Sequence, residues 1–286
     1  MEEMKVRITK YIQLGLLMAL AACATVPAPW GLDQARQIVQ AADRTAADRN
    51  NDVRRKPAEL LAFMGVRPGI TALDVVAGGG YTSELLARAI GPQGRVYAQF
   101  QPRELARPTT PPAQPEGGVS ATPAAAAPAP PAPRPAGAGL FDRAQRLKAA
   151  GTPAAQLLPV ARRFDDPVPA DAAPGSLDLV TLMFNYHDLG HLGVDRAGMN
   201  AAIFRALKSG GAYVIADHAG RPGTGISESG TLHRIEEAFL KREVEAAGFR
   251  LVAEGQFLRN PNDPRDKNTP EPPQPKDEFV LKFVKP

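Results

Sequence analysis

Two groups of residues in this 286-residue chain have the types and spacing to do chemistry. The first is Gly78-Gly79-Gly80, entered from the apolar run ALDVVA (72–77) with its one acid, Asp74, and left through Tyr81 into TSELLARAI. Glycines between a strand and a helix let the backbone pass close to a ligand where any Cβ would clash. In open α/β sheets ligands sit beyond the carboxyl ends of the strands, at such turns. Gly78-x-Gly80-x-x-Ser83 comes near a dinucleotide fingerprint whose last glycine is replaced. Two features lead away from dinucleotides. Asp74 stands inside the strand, four residues before Gly78, and the chain closes on a helix and a strand pair rather than on a second nucleotide-binding half.

The second group is the histidines. All four, His187, His191, His218 and His233, fall in the carboxyl half. Asn185-Tyr186-His187-Asp188 follows an apolar run, Asp217-His218 ends another, and His233 precedes Arg234 in a Leu-His-Arg triplet. Imidazole titrates near neutrality, so His187 is a candidate base for an O–H or N–H nucleophile. Asn185 and Asp188 stand beside it as catalytic partners, and Tyr186, Asp217, His218, His233 and Arg234 supply a substrate side. A metal is the rival reading. His187 and His191 are four apart, and Asp188, Asp217, His218 and His233 could complete an N/O set suited to zinc or iron. Gly190 argues against the regular helix that would align the pair, so no metal is expected. No nucleophilic Ser–His–Asp elbow is present.

These residues need a scaffold, and the hydrophobic pattern supplies one. Residues 31–65 read as helical, with alternating charges from Asp43 to Lys56 and an apolar end; Arg54-Arg55-Lys56 reads as a solvated face. Strands are expected at 72–76, 95–100, 157–164, 177–185, 212–219, 249–258 and 277–284, and helices at 82–90, 140–149, 195–208 and 232–247. Alternating strands and helices closing on two strands without a helix imply an α/β fold: a Rossmann-like, doubly wound, mostly parallel seven-stranded sheet. Residues 102–139, rich in Pro and Ala, hold too little apolar surface to offset their ordering entropy and are expected to be a disordered insertion.

The bulk numbers set further bounds. A net charge of +4 without a dense basic block gives no reason to expect nucleic acid as a partner. The single cysteine, Cys23, excludes an intramolecular disulfide. Lys5, Arg7 and Lys10 precede an apolar core at 14–22, shorter than the ~20 residues that cross a bilayer as a helix. Leu20-Ala21-Ala22-Cys23 then resembles the bacterial lipobox. That resemblance implies a lipoprotein-type signal at 1–22, lipidation of Cys23, and a location in the cell envelope, anchored to the membrane and facing the periplasm; an unprocessed signal would leave the protein cytoplasmic. The remaining chain divides into a helical segment at 23–66 and a domain at 67–286.

The run Asp74-Val75-Val76-Ala77-Gly78-Gly79-Gly80-Tyr81 resembles the first motif of class I S-adenosylmethionine-dependent methyltransferases. FNYHDL (184–189), LKSGGAYVIADHA (207–219) and TLHRIEEAFLKREVEAAGF (231–249) follow in that family's order. With LRNPND (258–263) they resemble a bacterial branch of predicted methyltransferases. The resemblance implies that S-adenosylmethionine is the cofactor, with its methionine portion wrapped by Gly78, Gly79, Gly80 and Tyr81 and its ammonium received by Asp74. It implies that Asp165 or Asp166 pairs with the adenine amino group, and that His187 faces the transferring methyl. Two positions depart from the pattern. Val76 stands where the first glycine belongs, and Phe100, flanked by Gln99 and Gln101, stands where an acid would accept bonds from both ribose hydroxyls.

Three functions follow. One is methyl transfer to a small-molecule acceptor. Another is a non-catalytic envelope binding protein on the same fold, which Val76, Phe100 and the separation of an exported protein from a cytosolic cofactor favour. A third is a metal-dependent hydrolase.

Overall fold

The computed structural model describes residues 27–105, 134–270 and 272–286. Cys23 and its signal, and most of the Pro/Ala-rich stretch, lie outside the described residues. No helix among the described residues is long and apolar enough to cross a membrane.

Three helices open the chain: α1 (Leu32–Val39), α2 (Ala46–Arg55) and α3 (Pro57–Met64). They replace the continuous helical run expected over 31–65. Thr45 starts α2 afresh by accepting from the Asp48 backbone N–H at 3.1 Å, a side-chain cap. Lys56 then takes a left-handed φ of 43° and Pro57, with no N–H to donate, begins α3. Leu60, Leu61 and Met64 of α3 join the same buried cluster as the sheet, so the segment 27–66 shares its core with the rest of the protein.

The α/β part runs β1 (Thr71–Val75), α4 (Tyr81–Ile90), β2 (Arg95–Phe100), α5 (Ala138–Ala149), β3 (Gln156–Ala161), β4 (Leu177–Met183), the single turn α6 (Asp188–His191), α7 (Arg196–Ala206), β5 (Leu207–His218), α8 (Glu237–Ala246), β6 (Arg250–Gly255) and β7 (Glu278–Val284). The seven strands lie in the order β3-β2-β1-β4-β5-β7-β6. β7 is antiparallel to β5 and β6, and the other pairs are parallel. Side chains alternate across each strand. Ala72, Leu179 and Val214 face one core with α3, α4 and α5, while Leu73, Val180 and Ile215 face a second with α7 and α8. The strand order reverses between β1 and β4, so their carboxyl ends frame the crevice where this architecture takes ligands.

The boundaries that differ most from expectation are those of β5 and α8, while β3, β4 and β6 end two or three residues early. β5 starts at Leu207, paired with Leu177, and a register shift accommodates 208–211 before Ala212 pairs with Leu179. Helix α8 starts at Glu237 rather than at 232. His233 has φ 50°, and Ile235 makes a lone parallel bridge to Ala219, because Arg234 and Ile235 are buried completely against the end of β5.

Candidate functional site

The glycine turn leaves β1 through Val76, whose φ is 53°. A β-branched residue there is a steric outlier, costing about 1–2 kcal/mol. Gln99 holds it. This buried side chain accepts from the Val76 N–H at 2.9 Å and donates to the Arg162 carbonyl at 2.7 Å, while its own carbonyl accepts from the Ala77 N–H at 2.9 Å. Gln99 therefore pins the turn and is not free for a ribose. Gln101 accepts from the Phe164 N–H at 2.7 Å, which leaves its amide N–H groups as its available donors.

The three glycines differ. Gly78 (φ 55°) and Gly79 have nothing within 4 Å of where a Cβ would stand. At Gly80 (φ 80°) a Cβ would lie 2.7 Å from Leu140 Cδ2 and 2.9 Å from Arg143 Cδ. Gly80 is thus glycine for packing against α5, and Gly78 and Gly79 border open space. Asp74 is enclosed beneath them. Its carboxylate accepts from Ser83 Oγ at 2.5 Å and Thr181 Oγ1 at 2.7 Å, and burial pushes its pKa up to about 6 against those bonds. It does not face an incoming ammonium. Tyr81 donates to Asp52 Oδ1 at 2.6 Å, so it ties the turn to α2 rather than lining the cradle.

At the end of β2, Phe100 meets Phe141 edge-on with ring centroids 6.1 Å apart, and its ring fills the space beside Gly137. Asp165 pairs with Arg163 at 2.7 Å and Asp166 pairs with Arg162. Both acids already carry guanidinium partners where adenine recognition was expected.

Across the crevice, Asn185 donates to the Met183 carbonyl at 2.8 Å and points the same amide at the Val76 carbonyl, 3.5 Å away. Beyond it the four histidines gather. His187 is buried. Its Nδ1 lies 2.6 Å from Asp217 Oδ1 and its Nε2 3.1 Å from Asp188 Oδ1, and its backbone N–H donates to Asp217 Oδ2 at 2.7 Å. Burial alone would lower its pKa, but the two carboxylates raise it to about 9. With each ring nitrogen facing a carboxylate, His187 offers neither nitrogen as a free base for a substrate proton. The expectation of a general base is corrected to a positioning strut.

Asp188 Oδ1 also meets His233 Nδ1 at 2.9 Å and His191 Nδ1 at 3.9 Å. Burial would raise this carboxyl, but the imidazoles hold it at about 2. His218 stacks 5.3 Å from His187, with its Nδ1 3.0 Å from Glu278 Oε1 in a contact without hydrogen-bond geometry. Burial lowers its pKa.

Two expected substrate-side residues point elsewhere. Tyr186 is buried, donating to Glu243 at 3.0 Å and accepting from Asn200 at 2.9 Å on the far side of the sheet. Arg234 is buried against Asp263 at 2.9 Å and the Ala219 and Lys267 carbonyls. Both are structural.

The N-terminal helices supply residues that sequence reasoning missed. Asp48 and Arg44, members of the alternating charge pattern, are buried. Asp48 grips Arg143 at 2.7 Å, and Arg143 also bonds Glu84 at 2.7 Å and the Gly79 carbonyl. Arg55 lays its guanidinium 3.8 Å from the centroid of Phe184, a residue with φ 60°. Among the described residues Arg55 has no ion-pair partner; burial, and then neighbouring Arg54, bring its pKa down to about 10. Arg54 pairs with Glu278 at 2.8 Å. The only signal for Arg55 was its place in a basic triplet.

No protein-family model matches the chain, and no curated protein matches it. Solved structures do. An S-adenosylmethionine-dependent methyltransferase from Aquifex aeolicus superposes with a TM-score of 0.53 at 14% identity, covering 90% of this chain and 100% of its own. The fold is that of the S-adenosylmethionine-dependent methyltransferases. A Bacillus halodurans protein titled as a methyltransferase superposes with a TM-score of 0.50 at 14% identity, over 80% of this chain and 98% of its own. The [4+2]-cyclase SpnF also superposes, with a TM-score of 0.50 at 14% identity, over 92% of this chain and 89% of its own. A fold that carries a cyclase as well leaves the reaction to be argued from the site.

Proposed function

We propose that the protein transfers a methyl group from S-adenosylmethionine to a small-molecule acceptor. One observation carries the reading: the Gly78–Gly79 turn borders open space at the carboxyl end of β1, beside Asn185, and the histidine cluster follows Asn185 at the carboxyl ends of β4 and β5. The turn backbone would hold the methionine portion and the Gln101 amide a ribose hydroxyl. When bound, the cofactor supplies an electrophilic methyl carbon. The chain's own contribution is orientation, which can carry much of such a reaction. Asn185 positions the acceptor near the turn. His187, fixed by Asp217 and Asp188, shapes the acceptor wall, and Arg55, lying over Phe184, makes the same side positive. Calorimetry of the full chain with S-adenosylmethionine tests the binding; no heat at millimolar cofactor would sink the proposal.

A binding protein without transfer is the second reading, favoured by Phe100 in place of the ribose-binding acid. Labelled-methyl transfer into extracts of the envelope's small molecules separates the two: cofactor binding without transfer supports the second.

We place the protein at the cell envelope through a lipid on Cys23, on the strength of the Leu-Ala-Ala-Cys motif behind a short apolar run. Mass spectrometry of the membrane fraction is expected to find a diacylated N-terminal Cys23; an intact residue 1–22 segment in the cell's protein would refute this.

A further inference from the structure

We propose that His187, Asp188 and His233 form a binding site for a divalent first-row metal ion, with zinc or ferrous iron the best match to the donor set. This goes beyond the methyl-transfer reading and does not rest on it.

Three ligand atoms, one each from His187, Asp188 and His233, lie within 4.8 Å of one another. Asp188 Oδ1 is 3.1 Å from His187 Nε2 and 2.9 Å from His233 Nδ1. Donors held at ~2.0–2.2 Å around an octahedral or tetrahedral ion stand roughly 2.9–3.4 Å apart, so the two spacings to Asp188 Oδ1 suit an ion, and the two imidazoles, within 4.8 Å of each other, need only a small approach to complete it. Two imidazoles and one carboxylate are the ligand set of several catalytic zinc sites and of non-haem iron sites, which leave further positions open.

The surroundings match that role. His187 Nδ1 faces Asp217 Oδ1 at 2.6 Å, and Asp217 is fully buried and also accepts from the His187 and His218 backbone N–H groups. A carboxylate behind the ring fixes the tautomer that directs Nε2 and its lone pair toward the ion, as the outer partners of ligating histidines do.

The backbone is held for the same convergence. His233 takes φ 50°, a left-handed conformation that costs about 1–2 kcal/mol outside glycine. Ser229 clamps the loop before it to the 187–191 segment, donating to the His187 carbonyl at 2.5 Å and accepting from the His191 N–H at 2.9 Å. Gly190, which in sequence argued against a metal, is what allows the approach: a Cβ there would lie 2.5 Å from Ile226 and 2.8 Å from Ser229. His191 was the wrong partner for His187. The loop passing over Gly190 brings His233 instead.

The test is a titration of the chelator-stripped full chain with Zn²⁺ by calorimetry and with Co²⁺ by visible absorption. One ion per chain is expected, with Co²⁺ bands of low-symmetry N/O coordination. His233→Ala and Asp188→Asn should each weaken binding at least about 100-fold, and Asp217→Asn about 10- to 100-fold, the usual cost of losing an outer carboxylate. His191→Ala should stay within about 3-fold. His233 is partly exposed, so its substitution should leave the fold intact by circular dichroism; His233→Gln serves where the alanine variant does not fold. Failure to bind either ion stoichiometrically, or binding that survives a folded His233 variant, overturns the proposal.

Discussion

Replacing Asp74 by asparagine separates its structural role from the cofactor-binding role that its motif suggests. The carboxyl is 1% exposed and its pKa rises from 3.8 to about 6. At 1.36 kcal/mol per unit, keeping it ionised at neutral pH opposes folding by about 3 kcal/mol. The sign follows from linkage. A raised carboxyl pKa means the folded state binds the proton more tightly, so this contribution favours folding below about pH 4 and is lost as pH rises through about 6. Asparagine removes the charge and keeps the shape, and the Ser83 and Thr181 hydroxyls can rotate to serve an amide. Weakening two charge-assisted bonds returns about 1–2 kcal/mol of that gain. The variant should therefore be more stable than the parent by about 1–2 kcal/mol at pH 7.5, raising Tm by roughly 2–4 °C per kcal/mol. It should lose the advantage at pH 4. Urea unfolding at the two pH values reads the difference, and calorimetry reads cofactor affinity, which should change less than about 3-fold because the carboxylate is sealed under the turn. Destabilisation by more than about 1 kcal/mol at pH 7.5, or loss of cofactor binding in a folded variant, would show that the carboxylate meets a cation and refute the reasoning.

Four further outcomes follow from the turn and the end of β2 beside it. Gln99→Leu leaves the part-buried Val76 N–H and Arg162 carbonyl without this partner; at ~1–3 kcal/mol for each group when fully buried and less when part-buried, urea unfolding should show a loss of about 2–4 kcal/mol. Gly78→Ala carries only the left-handed strain, about 1–2 kcal/mol, but sets a methyl in the cradle and should weaken S-adenosylmethionine at least about 10-fold by calorimetry. Gly80→Ala adds a clash with Leu140 at 2.7 Å and should unfold more readily while its cradle stays open. Phe100→Asp restores a ribose acceptor: one charge-assisted bond of about 1.5–3 kcal/mol should tighten cofactor binding about 10-fold or more, while loss of the Phe141 contact lowers Tm. Unchanged affinity in a folded Phe100→Asp variant would mean that the ribose lies elsewhere.

The sheet was legible because its strands are apolar runs, and buried parallel strands have to be. LDLVTLMFN is unmistakable, and the antiparallel end follows from two strands with no helix between them. The N-terminal segment was not legible. Its alternating charges carry the pattern of a wet helix face, and only the tertiary structure places Arg143, Glu84 and Arg88 opposite Asp48 and Asp43. The candidate site divides the same way. Sequence placed Gly78, Asn185, His187 and Asp217 at one end of the sheet, because strand ends can be read from the pattern. It could not say which way Asp74, Gln99, Tyr186 and Arg234 point, since a polar residue at a strand end is as useful for satisfying a buried turn as for touching a ligand. Nor could it say that His233, rather than His191, would stand against Asp188, since that approach depends on a left-handed backbone and a close contact over Gly190.

This division also says where the specificity of the protein lies. The β1–β2 side of the crevice is committed to its own architecture: Gln99 braces the turn, Asp74 is sealed below it, and Phe100 packs on α5. Few side chains remain there to recognise a ligand, so binding must rest on backbone and open space. The β4–β5–β7 side holds the opposite arrangement, with all four imidazoles and the carboxylates of Asp188, Asp217 and Glu278 within a few contacts of each other, and Arg55 near Asp217. The fold carries methyltransferases and a cyclase alike, so it does not by itself fix what this charged half does. Substitutions on the β1–β2 side should therefore act on stability or on cofactor affinity, whereas those at His233 or Asp188 should change which acceptor is held with little effect on the cofactor.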